Sequence, residues 1–478
     1  VWRGRRARTT GDRTSFAYTV LLGILVLGAP LVRALWLLLA EPSVTLALQS
    51  PTAVCDAGRV WLTVWAVALL AGTRQGPAAL PPFLVFALAE SDRSRWSAFR
   101  RPLIAAVTTF AGISAAAATL VGADLAEQGA LGARGVIELG SSGAAIGAIT
   151  AFLWLMGQAY PRIGSLAATV SLLTVAISIV VPGASASGGT SNGIVLGVLV
   201  VMAVACGWCV PAVLERLDPE ALARQALRWE SAVAHAFSLD VTASAAAFRA
   251  LPTFGRSLRA VVRSRQLTLI VPVSDVVGAV RTPGRLVVAM VLLGASGVTL
   301  SVAIDTSRSL SWFGLLAGAL AYFGLGPLTE GVRHAAHIAA DLPLYGISDR
   351  RLLALHSLFP LVTGSVLVAG VAFSVSLAGE QSLSALPLTA GAALGIIALA
   401  ARVGDALRGP SPLFLLTPAP SALGDPMPAI RVLWALDGPI LAMLAGLATA
   451  AAGASGIAIG AVAALVGSVC IVRWARRR

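Results

Sequence analysis

The sequence predicts an all-α polytopic membrane protein. About twelve transmembrane helices form two parallel six-helix halves, with both termini cytoplasmic. Three observations carry this. First, 57% of the residues are hydrophobic, only 12% are charged and the mean hydropathy is +0.85, whereas a soluble chain carries about a quarter of its residues as charges. Second, the apolar residues fall in runs of about 20, the length at which a helix crosses ~30 Å of hydrocarbon. Third, one loop pattern occurs twice, each time between the second and third runs of its half.

The runs place spans at 16–39, 57–73, 103–122, 139–159, 163–182, 193–213, 285–304, 309–326, 352–378, 382–401, 428–451 and 453–472. The second and eighth are short and end at Gly76-Pro77 and Gly326-Pro327. The start, basic from Arg3 to Arg13, leads into an apolar run longer than a signal h-region, so a cleavable signal peptide is not expected. The turn Gly183–Asn192 is small and polar, with no room for an outer domain. With the N-terminus inside, only Arg33, Arg59, Arg134 and Arg308 lie outside or near outer span ends. Every other arginine then falls on the cytoplasmic side, which fixes the orientation. The net charge of +13 therefore reads as topology and not as a nucleic-acid surface.

The spans divide the chain into a first half, 1–213, a cytoplasmic helical linker, 214–284, and a second half, 285–478. Asp218-Pro219-Glu220 opens the linker as a helix start, with Asp as N-cap, Pro in the first turn and an acid near the dipole. That helix is expected to reach about Phe237, and Asp240 to cap a second as far as Leu251. Arg249, Arg256, Arg259, Arg263 and Arg265 then make a basic approach to the seventh span. Such a segment suits anionic lipid headgroups or a cytoplasmic partner.

The stretch from Gly326 to Pro360 holds the fuller copy of the repeated loop. Leu328, Val332, Ala335, Ala336 and Ala339 share one helical side; Glu330, Arg333, His334, His337 and Asp341 share the other. This is an amphipathic helix of about four turns that can lie flat at a membrane surface. A turn, Leu342-Pro343-Leu344-Tyr345-Gly346, leads to Ser348-Asp349-Arg350-Arg351 and the next apolar run. The earlier copy runs from Gly76-Pro77 to Ser91-Asp92-Arg93 and then Arg101-Pro102.

No lysine occurs anywhere in the sequence. A Walker phosphate loop needs one, as does Schiff-base chemistry, so this sequence carries neither. It also has no Ser-His-Asp set, no paired acids and no Gly-rich nucleotide loop, and no enzyme activity is expected of it. Cys206-Gly-Trp-Cys209 has redox or zinc spacing, but it lies inside the sixth span without a second pair, and packing is the simpler role. His334 and His337, with Glu330 and Asp341 near, have the residue types of a zinc site without its HExxH spacing. Asp437-Gly438-Pro439 sits in the eleventh span, where an ionised carboxylate needs a partner or water. It is a candidate hinge or polar point on a substrate path, or a structural charge paired with Arg431 or another arginine.

Taken together, Gly76-Pro77…Ser91-Asp92-Arg93, Gly326-Pro327…Leu342-Pro343-Leu344…Ser348-Asp349-Arg350-Arg351 and Arg281-Thr-Pro283-Gly-Arg285 resemble the exporter-type permease subunits of ABC transporters. The layout is similar to the fused twelve-span form found in actinobacteria. The resemblance implies a bacterial plasma-membrane permease with a coupling helix in each of the loops 76–102 and 326–360. These would rest on a separate ATPase subunit, in two copies, that binds ATP and magnesium; no cofactor is expected in this chain. Asp92, Arg93, Glu330, Arg333, His334, His337, Asp349, Arg350 and Arg351 would be the coupling residues. Family members export drugs, peptides, lipids or polysaccharides, and no residue here selects among them. A major-facilitator-type secondary transporter shares the parallel halves and the Asp-Arg loops. Its loops normally carry a second Gly, which Arg93-Ser-Arg95-Trp and Arg350-Arg-Leu-Leu lack. A non-transporting membrane scaffold subunit is the third alternative.

Overall fold

The computed structural model describes residues 29–40, 42–50, 52–89, 91, 94–180, 192–237, 266–305, 312–339, 346–378, 384–409, 427–451 and 456–476, with isolated positions between 244 and 258 and at 417. Among these residues every regular element is a helix. Nine helices are long and apolar enough to cross a membrane, or ten if one bent pair counts as a span. The protein is a helical, multi-pass membrane protein.

The chain forms two compact units, Val1–Glu230 and Ser231–Arg478. Unit 1 runs α1 (Ala29–Leu39), α2 (Pro42–Gln49), α3 (Ala53–Arg74), α4 (Pro82–Ala89), α5 (Arg95–Glu127), α6 (Ala133–Ala159), α7 (Pro161–Val180), α8 (Asn192–Glu215) and most of α9 (Pro219–Phe237). Ser94 caps α5 by accepting from the Ser97 N–H. The Asp218 carboxylate accepts from the N–H groups of Glu220 and Ala221 at the start of α9. α9 is amphipathic, and Leu222, Ala223 and Ala226 pack with Leu155, Val213 and Leu214.

Unit 2 runs α10 (Leu267–Val280), α11 (Pro283–Asp305), α12 (Phe313–Leu325), a 3-10 turn (Gly326–Leu328), α13 (Glu330–Ile338), α14 (Asp349–Ala378), α15 (Leu386–Ala406), α16 (Met427–Ala450) and α17 (Gly456–Ala475). Its core joins Leu293 and Leu300 of α11, Ala317, Ala321 and Leu325 of α12, Leu394 and Ile397 of α15, and Ala442 and Ala445 of α16. Inside a membrane, lipid tails are as apolar as the side chains, so such interfaces rest on close packing of small residues. α12 and α16 show this. Gly314 faces Gly446, and Gly318 faces the Ala442 carbonyl, with no space for a Cβ at either glycine.

The two units repeat one pattern of packing. α3 packs on α6 and α7, α5 on α6, and α6 on α8; likewise α12 packs on α15 and α16, α14 on α15, and α15 on α17. Even the register repeats. α5 and α14 each contain an internal proline, Pro102 and Pro360. Nine residues further on, Ala111 meets Gly147 of α6 and Ala369 meets Gly391 of α15, each so close that a Cβ on the glycine would approach the alanine Cα to 2.7 and 2.6 Å.

Nine of the expected spans coincide with long apolar helices. Of the first, 16–28 lies outside the described residues. The fifth is α7, whose apolar stretch, Pro161–Val175, is short. The eighth differs from expectation. α12 has 13 residues, about 20 Å of helix, and does not cross by itself. With the 3-10 turn at Gly326-Pro327 it reaches Leu328, breaks at Thr329 and continues as α13, bent by 69°. Pro327 has no N–H to give to a straight helix, so the apolar run ends in an elbow. A second difference is α10, which occupies part of the expected linker. Its apolar sequence LTLIVPVSDVVGAV packs against α14.

Candidate functional site

The elbow of unit 2 carries four of the candidate residues, Glu330, Arg333, His334 and His337. α13 spans nine residues, shorter than the four turns expected. Its apolar face is not laid on a membrane surface but buried against α14 and α15: Val332, Ala335 and Ala336 are at most 1% exposed. Glu330, His334 and His337 are exposed and Arg333 is partly so. Glu330 also places an acid in the first turn and His337 a base in the last, which complements the helix dipole.

Three attachments hold the elbow. Arg285, in the first turn of α11, donates to Glu330 at 2.5 Å. Asp275 of α10 and His356 of α14 pair at 2.8 Å, with side chains only 11% and 12% exposed. Gly331 of α13 lies directly on this pair; a Cβ there would collide with both His356 Nδ1 and Asp275 Oδ1. Finally, Arg402 of α15 donates from Nε to the Tyr322 carbonyl at 2.8 Å, its guanidinium 3.6 Å from the centroid of the Tyr322 ring. It thereby satisfies a carbonyl near the end of α12. Its Nη2 fills the space beside Gly326. In unit 1 the corresponding position is Gln158 of α6. Its amide bonds both the N–H and the carbonyl of Ala78 at 3.1 Å and fills the space beside Gly76. The spacing again repeats, since Gln158 follows Gly147 by the eleven residues that separate Arg402 from Gly391.

A polar junction continues behind the elbow. The Tyr322 ring and hydroxyl lie on Gly438. Arg408 pairs with both Asp405 and Asp437, and Arg473 of α17 pairs with Asp437. Two arginines and two aspartates thus balance in the span ends, with Arg408 stacked 5.1 Å from the centroid of Trp434. Arg431 is not the partner of Asp437; its Nε donates to the Met427 carbonyl of its own helix. α16 continues through Pro439 without a break.

Asp349 opens α14 as an acid in its first turn, and Arg350 and Arg351 beside it are exposed. Gly346, with φ of 63°, takes the left-handed conformation that this approach requires. Asp92, Arg93, Asp341 and residues 342–345 lie outside the described residues. In unit 1 the start of α5 is held instead through Arg95, whose N–H donates to the Glu215 carboxylate at 3.0 Å and whose guanidinium donates to the carbonyls of Glu215 and Leu217. Among the described residues no group of three metal-ligating side chains forms, at His334 and His337 or elsewhere. Cys206 and Cys209 are free thiols.

Asp275, His356, Arg402 and the Asp405–Arg408 pair were not singled out from the sequence. The signal was present: each is an ionisable group inside or beside an apolar run, the same argument that marked Asp437. Comparison of the chain with protein families, with curated proteins and with solved structures yields no match.

Proposed function

We propose that this chain is the membrane-spanning permease subunit of an ATP-driven exporter of the bacterial plasma membrane, worked by a separate cytoplasmic ATPase. The observation that carries the reading is the elbow of unit 2. A short span bends by 69° into α13, which buries its apolar face in its own unit and turns charged and imidazole side chains outward. A helix built that way serves to receive a push. Gly331 bears on Asp275 and His356, and so on α10 and α14; Glu330 bears on Arg285 of α11; and α13 also packs directly on α15. Movement of α13 therefore reaches four helices of the unit through direct contact. Closure of the ATPase on ATP would tilt them, and release would return them. The absence of lysine from the sequence supports a partner as the site of ATP hydrolysis.

The pairing of Asp437 counts for this reading over a proton-coupled secondary transporter. A proton carrier needs a carboxylate that can give up its counter-charges, and two arginines hold this one. The test is copurification in mild detergent from native membranes, comparing the parent with Asp349→Ala/Arg350→Ala. A Walker-motif ATPase should accompany the parent and be lost from the variant. A parent that brings down no ATPase, under conditions that retain known complexes, refutes the proposal.

A further inference from the structure

The helices that follow the two Gly-Pro pairs differ in chemistry. α13 buries its apolar side chains and exposes its polar ones. α4, which follows Gly76-Pro77 in unit 1, reads Pro-Phe-Leu-Val-Phe-Ala-Leu-Ala and has no polar side chain. Val85 is its buried residue, 3% exposed, and packs in one cluster with Phe99 and Leu103 of α5. Leu84 and Phe86 point away from that cluster and are 42% and 52% exposed, with Phe83 at 61%. α4 thus sits on the end of a span whose own outer side chains are apolar, among them Ile104 and Ile113. Near the start of that same helix Trp96, Arg100 and Arg101 are exposed, the residue types that settle at headgroup level. An ATPase surface shaped for the charges and imidazoles of α13 would find no counterpart on α4, whereas acyl chains beside the span suit it.

We propose that α4 is seated in the interfacial layer of the bilayer, with Leu84 and Phe86 among the upper acyl chains, and that the ATPase docks on the elbow of unit 2 alone. The second clause rests on the function proposed above; the first does not. The repeat then supplies one anchor and one receiver in place of two equal docking helices, so the ATPase drives unit 2 directly.

The test uses the full chain reconstituted in liposomes of phosphatidylethanolamine and phosphatidylglycerol, with Cys55, Cys206, Cys209 and Cys470 changed to Ala. Spin labels are placed singly through Leu84→Cys, Phe86→Cys and His334→Cys. Labels at 84 and 86 should relax several-fold more with oxygen, which concentrates in lipid, than with a water-soluble nickel chelate; the label at 334 should show the reverse. Nickel access at 84 and 86, or protection there from both reagents as a protein partner or second copy would give, overturns the lipid seat. Copurification decides the second clause. Phe86→Ser should retain the ATPase and His334→Glu/His337→Glu should lose it, with both variants monodisperse. Equal loss from the two, or retention by both, overturns one-sided docking. Failure of the parent to bring down an ATPase removes the second clause together with the proposed function and leaves the label result to judge the first.

Discussion

Asp437→Asn isolates the charge balance of the junction behind the elbow. The carboxylate faces two guanidinium groups, and the side chains of Arg408, Arg473 and Asp437 are 9%, 13% and 27% exposed. Removing one member of a buried ion pair costs about 3–5 kcal/mol, because the partner stays buried without its counter-charge. The partial exposure of Asp437 and the remaining Asp405–Arg408 pair put the expected loss at the low end, about 3 kcal/mol. That is roughly a hundredfold in the ratio of folded to unfolded protein. Asp437→Asn/Arg473→Gln restores neutrality, and about half the loss should return, within the range of coupling energies for touching residues. Equilibrium unfolding in dodecylmaltoside and SDS mixtures, followed by tryptophan fluorescence, measures both variants. A loss below about 0.5 kcal/mol for Asp437→Asn, or a double variant no more stable than the single one, refutes the account of the junction as a compensated cluster.

Two further predictions follow from the packing. Gly318→Ala drives a methyl into the Ala442 carbonyl and should cost about 1–3 kcal/mol in the same assay, while Gly112→Ala, where nothing lies within 4 Å of the new Cβ, should be neutral or stabilising by up to about 1 kcal/mol. His356→Ala removes the partner of Asp275 beneath Gly331. It should destabilise by about 2–4 kcal/mol, and the double variant with Asp275→Asn should recover part of that; additive losses would show that the pair does not act as one support.

Much of the helix plan was legible because apolar runs of bilayer length are a strong signal. The end of α12 was harder. The composition of 309–326 reads as one span; it ends where Pro327 lacks an N–H and where Arg402, 80 residues beyond Tyr322, takes the Tyr322 carbonyl. α10 was missed because its 14 residues are too few for a span and the arginines before it suggested a linker. The two sides of α13 were read from its periodicity, but its surroundings were not, since burial against α14 and burial against lipid leave the same pattern in a sequence. The expectation that the loops 76–102 and 326–360 are equivalent came from Gly-Pro and Ser-Asp-Arg. The chemistry of the elbow, however, is set by the helix that follows Gly326-Pro327. Asp437 stood out in the sequence; its partners Arg408 and Arg473 could be found only once α15, α16 and α17 were assembled.

Photo-crosslinking from α13 tests the central claim most directly. A benzophenone amino acid replaces His334, which is exposed on the receiving face, and the full chain is irradiated in native membranes. The account predicts a protein adduct whose partner carries a Walker motif, lost when Glu330→Ala/Arg333→Ala is added. Adducts with lipid only, or with a protein that has no nucleotide-binding motif, would contradict it.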